Sequence, residues 1–336
     1  MRSSGLRTRG LVMTVLLGVV LALTGCGAPA AERETTGSEE AAGQFPVTIP
    51  TAFGDVTVPK RPQRVVALGW GDAEVALTLG VQPVGAADWL PVGGDGVPVW
   101  MPADKRYAKR PAMLGTLEVD MEAVAALEPD LILDTRASGE RSRYDLLSGL
   151  GVPVVSIPPD GKAYRTDWED QLDMIAKALG KSAEAQEVRA GVEESFRKAA
   201  AAHPEFAGKT TVVGSKTVGS YGAYVNGGSR IEFMERLGFV QSPQVQSLAG
   251  DSFSVKISPE RMDLLNADFV LMSPIGVSPG DIAGDPLFRA VPAVQAGHSV
   301  VLSDAEVAQA FASGTALGMS HAVEKVVPLI AQAMAN

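Results

Sequence analysis

The longest helical signal in the chain lies near its middle and separates two similar halves. Residues 182–203 read S-A-E-A-Q-E-V-R-A-G-V-E-E-S-F-R-K-A-A-A-A-H, which are good helix formers almost throughout. Ser182 is a favoured N-cap residue, and Pro204 stops the helix from continuing. About 22 residues with a rise of 1.5 Å each form a rod of roughly 33 Å. A rod of that length can connect two separate lobes.

Strands and helices alternate on both sides of this segment. In the first half, a β-branched strand at 64–68 precedes a glycine-containing turn and a helix at 72–79. In the second half, strands are predicted at 210–214 and 269–272, and a final helix at 315–335. Such alternation is typical of parallel βα layers. The sequence therefore predicts an α/β protein of two βα lobes joined by a single long helix.

The segments predicted for the chain have these boundaries: an N-terminal lobe at 46–180, the connecting helix at 181–204 and a C-terminal lobe at 205–336.

The first 45 residues have a different composition. Three arginines and no acid precede an apolar run of about 13 residues, which is shorter than the roughly 20 that span a bilayer. This pattern predicts a secretory signal peptide at 1–25. Residues 31–44 are polar and lack large apolar side chains, so 26–45 is predicted to be a disordered tether.

The single cysteine, Cys26, follows Leu23, Thr24 and Gly25 at the end of this signal. The four residues resemble the lipobox of bacterial lipoproteins, which implies that Cys26 is lipidated and becomes the mature N-terminus. An ordinary signal peptide with a chance cysteine is the alternative. Either way, one cysteine cannot form a disulfide within the chain.

Composition and motifs argue against several function classes. The net charge of −10 disfavours nucleic acid, because phosphate binding needs clustered lysine and arginine. The stretch G-W-G-D-A-E at 69–74 follows a strand as a dinucleotide motif would, but Glu74 replaces its third glycine. The stretch G-V-S-P-G at 276–280 matches a nucleophile elbow, but Pro279 has no N–H for an oxyanion hole. No catalytic residue is therefore assigned, and the chain is predicted not to be an enzyme.

The three histidines do not suggest a metal site. His203 ends the central helix, His298 follows Gly297 in a turn, and His321 lies in the last predicted helix. A transition-metal site needs several histidine or carboxylate ligands that converge on one point. We therefore predict no protein metal ligand and no resident cofactor.

A short pattern recurs in the two halves. Residues 120–122, D-M-E, open a predicted helix that runs to Asp130, and residues 258–260, S-P-E, open one that runs to Asp268. One interpretation is structural, namely that both segments are favourable helix N-termini. Asp and Ser are N-cap residues, and a glutamate in the first turn is stabilised by the positive end of the helix. A functional role for the two glutamates is the other interpretation.

Four blocks in order carry a wider resemblance: R-P-Q-R-V-V-A-L-G-W-G-D-A from residue 61, D-M-E-A-V-A-A-L-E-P-D-L-I-L-D from 120, D-W-E-D-Q-L-D-M-I-A-K-A-L-G-K from 167 and S-P-E-R-M-D-L-L-N-A-D-F-V-L from 258. With the tether and the central helix, they resemble the substrate-binding lipoproteins of bacterial ABC importers for iron–siderophore complexes. That helical-backbone class also contains vitamin B12 receptors.

The resemblance implies a function and partners. It implies a ligand cleft between the lobes, a ferric siderophore as ligand, and delivery to an ABC permease dimer with its ATPase. Glu122 and Glu260 would dock on the permease. The protein would be a monomer, exported and lipid-anchored to the outer face of the cytoplasmic membrane. Heme or cobalamin in the same fold is an alternative ligand, and a surface binding protein without a transporter is an alternative function.

Candidate ligand contacts are aromatic, phenolic and guanidinium side chains in loops that follow strands, where such clefts form. They are Trp70, Trp89, Trp100, Arg136, Tyr221, Tyr224 and Arg230. Core packing for each tryptophan, a surface ion pair for Arg136 and a turn contact for Arg230 are the structural alternatives. Trp168, at a helix start, is predicted to be core. The acidic balance of the chain favours a neutral or cationic chelate such as a hydroxamate.

Overall fold

The computed structural model describes residues 45–87, 89–90 and 96–335. The predicted signal peptide, Cys26 and the tether up to residue 44 lie outside the described residues. Among the helices that are described, none is both long enough and apolar enough to cross a bilayer.

The first lobe is built on a parallel sheet. An antiparallel hairpin of β1 (Val47–Thr51) and β2 (Gly54–Val58) precedes it. Its strands are β3 (Val65–Ala67), β4 (Gly85–Ala87), β5 (Ala112–Leu114), β6 (Leu131–Leu133) and β7 (Val154–Val155). They lie in the order β5-β4-β3-β6-β7, and every neighbouring pair is parallel. Strands β3 and β6 are buried along their whole length, as expected for a sheet covered on both faces.

The helices of this lobe are α1 (Asp72–Thr78), α2 (Met121–Ala126), α3 (Arg141–Ser148) and α4 (Trp168–Leu179), with a 3₁₀ turn at Ala103–Lys105.

The predicted central helix is present as α5 (Ser182–Ala202), which has 21 residues. Its N-cap is Lys181 rather than Ser182, and no side chain caps it. It packs against α4 and the last helix of the chain, and it buries Ala185, Val192 and Phe196. The helix is therefore a packed part of the core rather than a free rod.

A second, separate sheet forms the other lobe. Its strands are β8 (Thr210–Lys216), β9 (Tyr221–Tyr224), β10 (Val240–Gln241), β11 (Ser254–Ile257), β12 (Phe269–Pro274) and β13 (Ser299–Val301). The order is β11-β9-β8-β12-β13, with β10 also paired to β8. Strand β9 is antiparallel to both neighbours, whereas β8, β10, β12 and β13 pair in parallel.

The helices of the second lobe are α6 (Ser229–Arg236), α7 (Pro243–Gln246), α8 (Pro279–Ala283), α9 (Pro286–Arg289), α10 (Pro292–Gln295), α11 (Ala305–Ser313) and α12 (Ala316–Met334), with 3₁₀ segments at Pro204–Phe206 and Pro259–Leu265. The two-lobe α/β architecture is thus confirmed.

One hydrophobic core runs through both lobes. It contains Leu131 from the first sheet and Phe269 from the second, and the buried rings of Trp168 and Phe196 belong to the same cluster. Trp168 is fully buried, which confirms its predicted core position. Helices α4, α5 and α12 therefore join the lobes by packing as well as by the chain.

Glycine follows three of the helices, as the sequence predicts. Gly80, Gly151 and Gly238 have φ angles of 79°, 74° and 100°, which lie in the region that suits glycine at a helix C-terminus.

The two helices of the repeated pattern are shorter than the sequence predicts. Helix α2 ends at Ala126, because Glu128 adopts a φ of 46° before Pro129. Its counterpart is a 3₁₀ segment with a break at Arg261. The two helices therefore do not run to Asp130 and Asp268.

The two aspartates have a structural role instead. A carboxylate oxygen of Asp130 accepts hydrogen bonds from the N–H groups of Gln63 and Arg64 just before β3, at 3.1 and 2.8 Å. Asp268 accepts from the Thr210 N–H at the start of β8, at 2.7 Å. In both lobes, the aspartate fixes the start of a neighbouring strand.

Candidate functional site

A narrow aromatic cavity lies between the two lobes. The first lobe contributes Trp70 after β3, Trp89 after β4 and Tyr164 after β7. The second lobe contributes Tyr224 at the end of β9, the start of α6 and Phe253 before β11. Its volume is only about 30 Å³, which is room for a water molecule or two.

The side chains of the first lobe fill most of this space themselves. The rings of Trp70 and Trp89 stack with centroids 5.2 Å apart, and Trp70 stacks on Tyr164 at 4.3 Å. A bound organic ligand usually needs about 300–1,000 Å³. Such a ligand can therefore enter only when the stack opens or the lobes separate.

Sequence reasoning missed two members of this wall, Tyr164 and Phe253. Tyr164 stands in the D-G-K-A-Y-R-T loop after β7 and adopts a φ of 56°. Its position in a glycine-containing loop after a strand was the available signal. Phe253 precedes β11 and stacks near Tyr224, with centroids 6.4 Å apart.

Tyr224 and Arg230 form the cation–π contact of the second lobe. The guanidinium carbon of Arg230 lies 4.4 Å from the centroid of the Tyr224 ring. The Nε of Arg230 is buried and has no hydrogen-bond partner among the described residues, and the same holds for the Trp70 indole nitrogen. The cavity therefore has unsatisfied donors on both sides.

Arg136 lines the cavity but is not free to meet a ligand as the sequence suggested. It is buried, and its guanidinium donates to the carbonyl oxygens of Thr166, Ser313 and Gly314 at 2.8, 2.9 and 3.0 Å. Burial lowers the pKa of Arg136. Because Ser313 and Gly314 end α11 in the second lobe, Arg136 is a direct link between the lobes rather than a projecting contact or a surface ion pair.

Two buried carboxylates lie behind the cavity, and sequence reasoning assigned neither of them a role. Asp72 accepts hydrogen bonds from the N–H groups of Gly69 and Thr135, the Thr135 hydroxyl and the Gln171 amide. Burial raises the pKa of Asp72 to about 6 despite these donors. Glu74 accepts from the Thr315 hydroxyl, and burial raises its pKa.

This packing explains the glycines of G-W-G-D. A Cβ on Gly69 would lie 2.4 Å from a carboxylate oxygen of Asp72, and one on Gly71 would lie 2.6 Å from the Thr315 methyl group. Gly71 also has a φ of 84°. Gly69 allows close packing against Asp72 within the first lobe, and Gly71 allows it against Thr315 of the second lobe. The motif therefore has a structural explanation in place of a dinucleotide.

Trp100 and Tyr221 lie outside this cavity. The indole N–H of Trp100 donates to Glu74 at 2.8 Å, and its ring lies 6.0 Å from that of His321. The hydroxyl of Tyr221 donates to Asp285 at 2.9 Å, and burial raises the pKa of Tyr221. Tyr221 and Tyr224 occupy opposite ends of β9, so only Tyr224 reaches the space between the lobes.

A second cavity of about 40 Å³ lies within the first lobe, and Trp89 lines both cavities. Glu74, Leu77, Tyr107 and Met113 also line this second cavity. Trp89 is the one residue that the two sets of described lining residues share.

The two glutamates assigned to docking are exposed. The N–H of Glu122 donates to the Asp120 carboxylate at 3.0 Å, which fixes it at the start of α2. Glu260 follows Pro259 in the 3₁₀ segment, and its own backbone N–H holds its pKa below the usual value. Both carboxylates are available to a partner.

The part of the chain that the structure describes contains no group of three histidine, cysteine, aspartate or glutamate side chains that could hold a metal ion.

Comparison with known proteins gives a consistent result. The sequence profile of the periplasmic binding protein family matches residues 65–306. The chain is 28% identical over 179 residues to YfiY of Bacillus subtilis (strain 168), described as a probable siderophore-binding lipoprotein, which covers 53% of this chain and 50% of that protein. It is 25% identical over 265 residues to the Fe(3+)-citrate-binding protein YfmC of the same strain, covering 78% of each. The match thus spans about half the length of YfiY and more of YfmC.

A solved structure of PiaA from Streptococcus pneumoniae TIGR4 in complex with ferrichrome superposes with a TM-score of 0.73 and 25% sequence identity, covering 86% of this chain and 99% of that one.

Proposed function

This chain belongs to the periplasmic binding protein family, and we propose that it is the extracytoplasmic substrate-binding component of an ABC importer. It captures a ferric siderophore between its lobes and delivers it to the permease dimer, which works with an ATPase. We assign it a binding role as a monomer, with no catalytic residue and no resident cofactor.

The observation that carries this proposal is the aromatic cavity between two separate sheets. Trp70, Trp89 and Tyr164 face Tyr224 and Phe253 across it. Rigid rings of this kind cover an organic shell with little loss of rotamer freedom. Three similar proteins support the same ligand class. YfiY is described as a probable siderophore-binding lipoprotein, YfmC as an Fe(3+)-citrate-binding protein, and the PiaA structure is a complex with ferrichrome.

We divide the candidate contacts by their geometry. Trp70, Trp89, Tyr224 and Arg230 contact the ligand directly, together with Tyr164 and Phe253. Arg136 holds the lobes in place at the floor of the cavity. Trp100 does not contact the ligand but donates a hydrogen bond to Glu74. We assign Tyr221 no ligand contact.

The membrane anchor and docking sites are part of the same proposal. Cys26 carries the lipid, and the tether keeps the folded part near the outer face of the cytoplasmic membrane. Exposed Glu122 and Glu260 orient the two lobes on the permease, because exposed charges contribute more to encounter and orientation than to affinity.

Calorimetric titration of the purified protein tests the ligand class. The probes are ferrichrome, ferric citrate, a ferric tris-catecholate, heme and cobalamin. We expect sub-micromolar, one-to-one binding of at least one ferric chelate. Saturable binding of heme or cobalamin alone would assign the site to that ligand instead, and no binding in the whole series would refute the proposal.

A further inference from the structure

We infer that the cavity selects a ferric chelate with net negative charge, and that Arg230 determines this selectivity. The inference rests on the proposed function and adds the charge class of the ligand. It reverses the expectation of a neutral or cationic chelate that the acidic composition suggests.

The charges at the cavity wall are of one sign. Among the described residues that line it, two are arginines, Arg136 and Arg230, and none is an aspartate or glutamate. The charge of Arg136 is offset by carboxylates behind the wall, and its guanidinium is held by carbonyl oxygens. A cationic ligand would therefore meet mainly the like charge of Arg230. An anionic ligand would meet this charge with the opposite sign in a partly buried site, where screening by water is weak.

The neighbouring acids lie behind the wall of the cavity, and most of their oxygens already accept hydrogen bonds. Asp72 is surrounded by the donors of Gly69, Thr135 and Gln171, and Glu74 is bound by Thr315 and Trp100. One oxygen of Glu232 accepts from Arg236 at 3.0 Å, and its other oxygen is buried without a hydrogen-bond partner among the described residues. These carboxylates offset the buried charge of Arg136 from behind and do not line the cavity.

Arg230 is available to a ligand. It makes no hydrogen bond or ion pair within the described part of the chain, and its one charge contact is the 4.4 Å approach to the Tyr224 ring. The ring leaves the N–H edge of the guanidinium free for acceptor oxygens. A buried donor without a partner is costly, so an anionic oxygen at this position would stabilise the bound state.

Two further features point in the same direction. The indole N–H of Trp70, on the opposite wall, is a second buried donor without a partner. Helix α6 begins at the cavity with Gly228 as its N-cap and no side-chain cap, so the positive end of the helix adds to the charge of Arg230. Carboxylate or catecholate oxygens can accept hydrogen bonds from Arg230 and from the Trp70 indole N–H. Their negative charge is also favoured at the start of α6.

The experiment compares ferric chelates that differ in charge, beginning with a pair that shares one core. The first is a linear ferric trihydroxamate with a terminal ammonium group, and the second is the same chelate with that amine succinylated to a carboxylate. Ferric citrate, a ferric tris-catecholate and neutral ferrichrome complete the series. We expect the tightest complex to be an anionic one, and any binding of the trihydroxamate pair to favour the succinylated form.

The variants test whether Arg230 is responsible. We expect Arg230→Gln to weaken binding of the anionic chelate about 10- to 100-fold, as for loss of a charged hydrogen bond. Arg230→Lys should recover part of this loss, because it keeps the charge without the planar fork. Arg289→Gln removes the same charge from an exposed position in the second lobe and should leave affinity unchanged. Thermal unfolding of each variant checks that it is folded.

Two results would overturn the inference while leaving the proposed function intact. One is tightest binding of a neutral or cationic ferric chelate. The other is an unchanged anion preference in Arg230→Gln. Absence of binding by every ferric complex would instead refute the proposed function itself.

Discussion

The carboxylate of Glu74 in the first lobe accepts a hydrogen bond from the hydroxyl of Thr315 in the second, although 241 residues separate them in the chain. Thr315 is also the N-cap of α12, where its oxygen accepts from the Gly318 N–H at 3.3 Å. One side chain therefore joins the lobes and begins the last helix.

Replacement of this hydroxyl should destabilise the protein. We expect Thr315→Val to lower the free energy of unfolding by about 1–3 kcal/mol, because it removes a buried donor from Glu74 and the cap from α12. Thr315→Ser keeps the hydroxyl and should recover most of the loss. Chemical denaturation followed by circular dichroism measures both, and equal stabilities for the two variants would contradict the role of the hydroxyl.

The guanidinium of Arg136 should be hard to replace even by lysine. Three carbonyl oxygens accept from its planar fork, and an ammonium group cannot reach all three in the same geometry. We expect Arg136→Lys to cost about 2 kcal/mol or more of stability. Arg289→Lys, at an exposed position, is the control and should change stability by less than about 0.5 kcal/mol. A similar small change in both would mean that the links to Ser313 and Gly314 contribute little.

Glu232 should make stability depend on pH. Burial raises its pKa from 4.5 to about 7. The native state therefore binds more protons than the unfolded state between these pH values. The contribution of Glu232 to the free energy of unfolding is fully present below about pH 4.5 and is lost as the pH rises through about 7. The loss amounts to up to about 3 kcal/mol. Asp72, with a pKa raised to about 6, acts in the same direction.

Glu232→Gln tests this dependence. We expect the fall in unfolding free energy between pH 4.5 and 8 to be smaller in Glu232→Gln than in the wild type. Glu187→Gln, which changes an exposed carboxylate of α5, should follow the wild-type curve. Parallel curves for Glu232→Gln and the wild type would show that this group does not titrate as described.

The aromatic stack in the cavity should matter for binding more than for folding. We expect Trp89→Ala to weaken binding of the ferric chelate at least 10-fold while lowering stability by about 1 kcal/mol, the scale of one aromatic pair. Tyr144→Ala breaks a similar stack with Phe53, at 4.5 Å and outside the cavity, and should leave affinity unchanged. Equal affinities for Trp89→Ala and the wild type would exclude Trp89 as a contact.

The docking glutamates should separate transport from binding. We expect Glu122→Ala with Glu260→Ala to keep the ligand affinity of the wild type and to abolish chelate uptake by cells. A double variant at two other exposed glutamates, Glu187 and Glu324, is the control and should transport normally. Loss of ligand affinity in the first variant would mean that Glu122 and Glu260 have a structural role instead.

Sequence reasoning identified the central helix and the βα alternation because both depend on local order: helix-forming residues, strand periodicity and glycine at helix ends. It also selected Trp70, Trp89, Tyr224 and Arg230, which the fold brings to one cavity. It could not separate these from Trp100 and Tyr221, because residues that follow strands can face either a cleft or a neighbouring helix. The partner that captures Trp100, Glu74, is 26 residues away.

The sequence by itself determined two α/β lobes, a long helix between them, which has 21 residues in the structure, and the loops from which the cavity is made. Only the tertiary structure decided that Arg136 links the lobes, that Asp72 and Glu74 are buried behind the cavity, and that its lining carries positive charge although the chain as a whole has a net charge of −10. The physical reason is range: secondary structure follows from neighbours in sequence, whereas burial, hydrogen bonding and the sign of a local field depend on which distant side chains the fold brings within a few ångströms.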